Sequence, residues 1–485
     1  MMRYLLISLF FLCAELCGSA AEKNVVVETR AAGELEALLG DRLLTVEELT
    51  VRGPVNEADF QAMGKSSLLG NLRNLNLKNA EIEGCRIPEY AFFCEDYGTL
   101  ILSSHIRLRE IILPDDVVEI GKYAFDEMLW LERVNFPKSL RKIGEYAFSS
   151  CRSLGIEPLV FNEGLEEIGD YSFERCGSLS GIVLPSTLKK IGQSSFEYSG
   201  LEFVSFQDGI TEIGPYAFNS CNRLKSAVLP NSLRLLGDGL FFECKNLERI
   251  VFPKGFTKIP ASVAYGCLSL CDIGLPSTVE EIEQNAFACC SLLENVVLPE
   301  LLTTIGYSAF QMNCRMKELV IPRSVLEIGS NCFKDLTSLK FIKCMATTPP
   351  DYAGISTPFG DIDDIYPEEA TPRDIPVYVP RGSAAAYRGA PGWDYFTNFV
   401  EVDEFPEAGV GEAGVGEAEP AIKAEAGRIV FAGGCGSGAA DYAVYSLDGR
   451  LVAAGRADSA GASVDVPSGL YLARRGGSVA KVAVP

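Results

Sequence analysis

Apolar and polar positions alternate along this chain in a phrase that keeps returning, L-x-x-[IV]-x-[LF]-P, as in "LERVNFP", "LERIVFP" and "LENVVLP". Alternate residues of a strand face one side, so Val134 and Phe136, or Ile250 and Phe252, are placed inward and their neighbours outward. Proline cannot donate to a ladder and closes each strand. An "IG" pair follows, whose second slot holds Gly121, Gly144, Gly169, Gly192, Gly214 and Gly237, then Pro260 and Glu283, then Gly306 and Gly329, at steps of 22 to 25 residues. Glycine is expected there to relieve a tight bend at positive φ. Four residues on, every mark carries Phe except Ala264. Seven on stand Cys151, Cys176, Cys221, Cys244, Cys267 and Cys290, with Met128, Ser199, Asn313 and Leu336 at the other turns. The A-F-x-x-C segment, "YAFSSC" or "YAFNSC", is expected to return the chain in a short turn or helical half-turn, with Phe as its wedge.

A unit of this length cannot bury its own apolar face. Stacked units make one continuous core, each turn rising by about 4.8 Å, the spacing between strands. The repeat, written L-P-x-S-[LV]-x-x-I-G-x-x-A-F-x-x-C-x-x-L-x-x-[IV]-x-[LF], covers residues 81–348 and resembles the BspA-like class of leucine-rich repeats found in secreted bacterial surface proteins. The resemblance implies a leucine-rich repeat solenoid, α/β but strand-dominated with short helical turns, capped at both ends. "LTVEELTVRGPVNEADFQAMG" and "LRNLNLKNAEIEG", with Leu72, Leu75 and Leu77 as an early strand, resemble the opening cap, over 22–80. "IPVYVPRGSAAAYRGAPGWDYFTNFVEV" resembles part of the closing cap, over 349–403. Caps are needed because a bare terminal turn would expose its apolar face and an open strand edge.

The ends of the chain read differently. At the start, "MMRYLLISLFFLCAELCGSAAEKN" joins a positive Arg3 to a short apolar run and a small-x-small pattern, as a signal peptide over 1–21 cleaved after Ala20 or Ala21 would. The run is shorter than the roughly 20 residues that span a bilayer, and a buried N-terminal helix is the alternative. Cys13 and Cys17 both follow Leu, which does not suit a lipobox. From Glu404, "EAGVGEAGVGEAEP" has nothing to bury and reads as a flexible linker over 404–426. Beyond it, 427–485 reads as a small β-sandwich-like domain, with a hairpin signal at Asp448-Gly449. Gly469, Tyr471, Gly476, Lys481 and Val484 resemble the ending of type IX secretion sorting domains. A β tail without an export role is the alternative.

Charge narrows the partners. A net charge of −22 without a basic patch would be repelled by a phosphate backbone, so nucleic acid is not expected. Cleavage of the leader would leave 14 of the 16 cysteines facing an oxidising compartment.

Catalytic groups are scarce. His105 is the single histidine, which leaves no Ser-His-Asp triad and no histidine-based zinc site. Cys267, Cys271, Cys289 and Cys290 lack the C-x2-C pairing of a zinc ribbon. Cysteines in successive turns would lie within disulfide range, yet their side chains should run parallel into the core as small hydrophobes. "GGCGSG" (Gly433 to Gly438) has no following Lys-Ser/Thr for a phosphate cradle, and "DIDDIYPEE" (Asp361 to Glu369) lacks the order of a calcium loop. Carboxylate pairs such as Glu280-Glu281 have no evident cleft around them. Neither an enzyme, a cofactor nor a metal is expected.

What remains is the strand face turned away from the core. Turn by turn it presents Glu110 and Ile112, Arg133 and Asn135, Val160, Val183, Phe203, Val228, Arg249 and Val251, Asn295 and Val297, Glu318 and Val320, and Phe341. One column is mostly β-branched and apolar, and its neighbour is mixed charged, polar and aromatic. Exposed apolar stripes bordered by polar groups mark contact surfaces, although Val and Ile favour strands wherever these lie. The reading is an exported protein of a Gram-negative bacterium, secreted or held at the outer surface. It would bind an extracellular protein or glycan in an adhesion-like role. The alternative is a structural component that associates with its own kind.

Overall fold

The computed structural model describes residues 23–65, 70–92, 107–360, 370–406 and the strands between 422 and 484. The leader, His105, the acidic run 361–369, most of the linker and the "GGCGSG" segment lie outside the described residues.

Most repeats contribute two short parallel strands, the repeat around residues 294–297 having no front strand, and stacking them produces a front and a back face across one core, the front in four separately paired sheets. The front sheet is built from the L-x-x-[IV] phrases, with Glu110 opposite Arg133, Gly181 opposite Phe203, Ser226 opposite Arg249 and Glu318 opposite Phe341. The back sheet is built from the residues before each "IG", with Glu119 opposite Lys142 and Glu167 opposite Lys190. Inward residues are buried as the alternation requires: Ile111, Val134, Ile182, Ile250 and Ile342 on the front, and Ile120, Ile143, Ile168 and Ile191 on the back. The array is a leucine-rich repeat solenoid.

The phenylalanines form one file. Phe92, Phe125, Phe148, Phe173, Phe196, Phe218 and Phe241 stack with ring centroids 4.9–5.9 Å apart. Ala264 interrupts the file, which resumes through Phe287, Phe310, Phe333 and Phe359 and ends against Trp393 and Phe396. Each fully buried ring contributes about 1.5–3 kcal/mol of apolar transfer.

Two local expectations are corrected. The slot glycines do not adopt positive φ. Their need is steric, because a Cβ on Gly144 would lie 2.8 Å from the Gly121 carbonyl carbon and one on Gly237 would lie 2.3 Å from the Pro215 nitrogen. The slot is where consecutive turns touch backbone to backbone, and Gly144 N–H donates to Ile120 O at 2.8 Å there. The return segment also holds no helical half-turn. Positive φ falls on Tyr146 (54°) and Ser150 (58°) instead, two and six residues after the glycine. That kinked path aims alternate amides along the solenoid axis, so Tyr146, Phe148 and Ser150 donate to Asp170, Ser172 and Glu174 of the next turn at 2.7–2.9 Å.

The flanks extend the front sheet. Asn24–Glu28, Glu48–Val55 and Asn74–Ile82 pair in parallel ahead of the repeats. Helix Glu57–Met63 between them is capped by Asn56 and Asp59 acting reciprocally. Pro376–Pro380 and Asn398–Val402 continue the sheet at the far end, where Trp393 Nε1–H donates to Pro350 O at 3.1 Å. Beyond 422 the strands are antiparallel, in a three-stranded and a four-stranded sheet. Ala440–Ser446 pairs with Leu451–Ala457 across the hairpin read at Asp448-Gly449, a turn that lies outside the described residues.

Candidate partner-binding face

Residues at equivalent slots of successive strands stand side by side, so the front sheet converts a sequence column into a surface stripe. In the first column the charges neutralise one another across turns. Arg133 Nη2 lies 3.0 Å from Glu110, and Arg249 Nε lies 2.9 Å from Asp272. These are half-exposed pairs, worth about 0–1 kcal/mol each. Between the two pairs the column reads Pro158, Gly181, Phe203 and Ser226, with no charge across four turns.

The second column divides into open and covered parts. Val228 and Val297 are 59% and 71% exposed, and Val160, Val251 and Val320 are half-buried. Ile112 is also half-buried, and in the first column Glu318 is half-buried and Asn295 exposed. Asn135 belongs to the scaffold. Its amide donates to Leu113 O at 3.0 Å and accepts from Leu113 N–H at 2.6 Å, replacing ladder bonds where the Arg133–Val134 strand is too short to make them. Val183 and Phe203 are buried at 1% and 2% exposure, in a small cluster separate from the solenoid core. Phe341 packs edge-on to Tyr378, and Lys343 lies over its ring while donating to Pro406 O.

The cysteine slot carries more than volume. Cys151, Cys176, Cys221, Cys244 and Cys267 each place Sγ 3.0–3.3 Å from the carbonyl of the file phenylalanine one turn earlier. Asn313 in the same slot makes the same bond at 3.0 Å. The position therefore favours a buried donor without requiring one, since Met128 and Leu336 also fill it, and the described cysteines are all free thiols. Burial pushes the Cys151, Cys176, Cys244 and Cys267 thiols far above their usual range, which leaves them unreactive.

Two concavities escaped the sequence reading. Arg73, Arg107, Arg109 and the half-exposed Trp130 line a cavity of about 280 Å³. Arg73 and Arg109 occupy one slot in consecutive turns, since Arg109 N–H donates to Arg73 O. Two arginines meeting in one column of an acidic chain is the signal that would have found it. The second, about 550 Å³, opens on the back sheet around Leu235, Asp238, Lys258, Pro260 and Glu283. Pro260 has no N–H with which to continue the bond that each slot glycine makes to the preceding turn. Strands Leu235–Leu236 and Lys258–Ile259 are accordingly not paired with each other, one ending a seven-stranded sheet and the other beginning a five-stranded one. Among the described residues, no three His, Cys, Asp or Glu side chains converge as a metal site.

A parallel solenoid of leucine-rich repeats with a broad front sheet is thus the class that this geometry defines. Residues 102–225 and 211–340 match the family model "BspA type Leucine rich repeat region", in six copies. Among solved structures, the chain is similar to a leucine-rich repeat protein from Bacteroides ovatus, at 22% identity over 68% of this chain and 92% of that one, with a TM-score of 0.41. It is similar to the pneumococcal vaccine antigen PcpA, at 19% identity over 74% and 80%, TM-score 0.39. A leucine rich cell surface protein from Faecalibacterium prausnitzii shares 20% identity over 68% and 83%, TM-score 0.31. No curated protein matches the chain. None of these likenesses speaks to what this chain binds.

Proposed function

We propose that the protein is exported to the surface of a Gram-negative bacterium and binds a macromolecular partner there, in an adhesion-like role. The partner would be a host or matrix protein, a glycan, or another cell, held against the front sheet. The observation that carries the reading is the second column, where Val228 and Val297 stand open beside charged and polar neighbours. Each of these water-exposed valines, Val228 on strand Ser226–Val228 and Val297 in a strand-free segment three turns further on, gains about 25 cal/mol for each Å² that a partner covers. The resemblance of the repeats to those of secreted bacterial surface proteins supports the location.

The test compares the full chain with a Val228→Asp/Val297→Asp variant against arrayed matrix proteins and glycans. Both valines are exposed, so the fold should tolerate the change. Binding by the parent with at least a tenfold loss in the variant is expected; equal binding would remove the face from consideration. A second reading, self-association, is favoured by strand Asn398–Val402, which closes the front sheet with a neighbour on one side only. A sedimentation mass that rises with concentration would select it.

A further inference from the structure

The middle of the front sheet is already occupied. From Pro158 to Ser226 the first column carries no charge, and Phe203 lies across Gly181. A Cβ at Gly181 would meet the Phe203 ring at 2.3 Å, so the glycine is what lets the ring lie flat on the sheet. With Val183 and Val160 beside it, the ring makes a smooth apolar floor three strands wide.

That floor is not open to water. Val183 and Phe203 are 1% and 2% exposed, whereas Val228, in the second column one strand beyond Phe203–Ser205, is 59% exposed. Residues on the outer face of a sheet reach such burial only when something lies over them. The last strand of the chain, Ser478–Val484, lies against Phe203–Ser205. It is an edge strand, ending the order of the four-stranded antiparallel sheet. Its sequence, "SVAKVAV", alternates small apolar residues and carries no acidic group.

From this we infer that the Val160, Val183 and Phe203 floor is a docking site for an extended strand, and that its resident is the chain's own Ser478–Val484. The tail covers the centre of the partner-binding face from within the same molecule. A covalent tether holds such a segment at an effective concentration of about millimolar, so a modest affinity keeps the floor covered. The covering role rests on the front-sheet reading of function; the docking stands on burial and contact alone. A partner that takes this part of the face must then displace the tail, and would do so with an extended, small-apolar segment of its own.

The test replaces Phe203 in the full chain with p-benzoylphenylalanine and maps the photoproducts by mass spectrometry. Crosslinks from position 203 to residues 478–484 within one chain are expected. Crosslinks confined to the array would overturn the docking. So would crosslinks to 478–484 found only in covalent dimers, told apart by mixing ¹⁴N and ¹⁵N chains, because a second copy would then be the resident. Val482→Glu and Ala483→Glu change successive positions of the strand and lie outside the array. One of the two should cut the crosslink yield at least tenfold, and the released variant, with Phe203 restored, should bind a synthetic peptide of residues 478–484 at least tenfold more tightly than the parent. Yields unchanged in both, or no gain in peptide binding, would refute a strand site. Loss of matrix or glycan binding in the Val228/Val297 variant is scored separately, so failure of one idea does not mimic failure of the other.

Discussion

Single residues in this array answer to the turn beneath them more than to their own backbone. Gly144 is glycine because backbone crosses backbone there, whereas the left-handed conformation falls on Tyr146 and Ser150. Gly144→Ala should therefore cost about 2–3 kcal/mol by overpacking. Gly177→Ala, where nothing lies within 4 Å of the added carbon and φ is not positive, should stay within about 0.5 kcal/mol. Urea unfolding of both variants checks the contrast. Asp126 supplies a pH signature. Burial raises its carboxyl from 3.8 to about 6, against a hydrogen bond from Ser149 that lowers it. A raised carboxyl favours the folded state while protonated, so its contribution is full below about pH 4 and lost as pH climbs through 6. Asp126→Asn should consequently be more stable than the parent above pH 6, by about 1 kcal/mol after allowance for screening, with the gap closing below pH 4. Thermal melts at pH 3.5 and 7.5 measure it.

At the scale of elements, the stack sorts cysteines into two populations. Eight described thiols are buried, Cys151, Cys176, Cys221, Cys244, Cys267, Cys290, Cys332 and Cys344, and four are partly or fully exposed, Cys85, Cys271, Cys289 and Cys314. Iodoacetamide on the native protein should modify only members of the second group among these twelve, and all twelve once the chain is unfolded. Peptide mapping reads the difference. How much of this was legible follows from where each signal lives. Phase-locked columns are one-dimensional, so the strands, the inward residues and the phenylalanine file could be read from spacing. The helical half-turn could not be told from the kinked return, because both satisfy A-F-x-x-C and only bonds to the neighbouring turn choose between them. Asn135 looked like a surface residue because its partner, the Leu113 backbone, lies one turn away. The burial of Phe203 was invisible for the same reason at longer range, since the strand against Phe203–Ser205 follows some 270 residues later.

The whole molecule is a stack whose cohesion is shared among many small neighbour-to-neighbour terms, and such assemblies are only as continuous as their weakest junction. In this chain the front and back sheets are not interrupted at the same turn. Among the described residues the front pairing stops three times, between Arg133–Val134 and Leu159–Val160, between Phe203–Ser205 and Ser226–Val228, and between Asp272–Gly274 and Glu318–Ile321, whereas the back pairing stops once, between Leu235–Leu236 and Lys258–Ile259. The back interruption coincides with Pro260, and the phenylalanine file breaks one step later at Ala264. The middle front break, the back break and the gap in the phenylalanine file thus fall close together near the middle of the array, whereas the other two front breaks lie beside an unbroken back sheet. In a protein held at a cell surface and bound to a partner, as proposed above, that middle region would act as a built-in compliance. Under shear it would bend or yield before either terminus, leaving the two halves of the rod intact as separately grippable lengths.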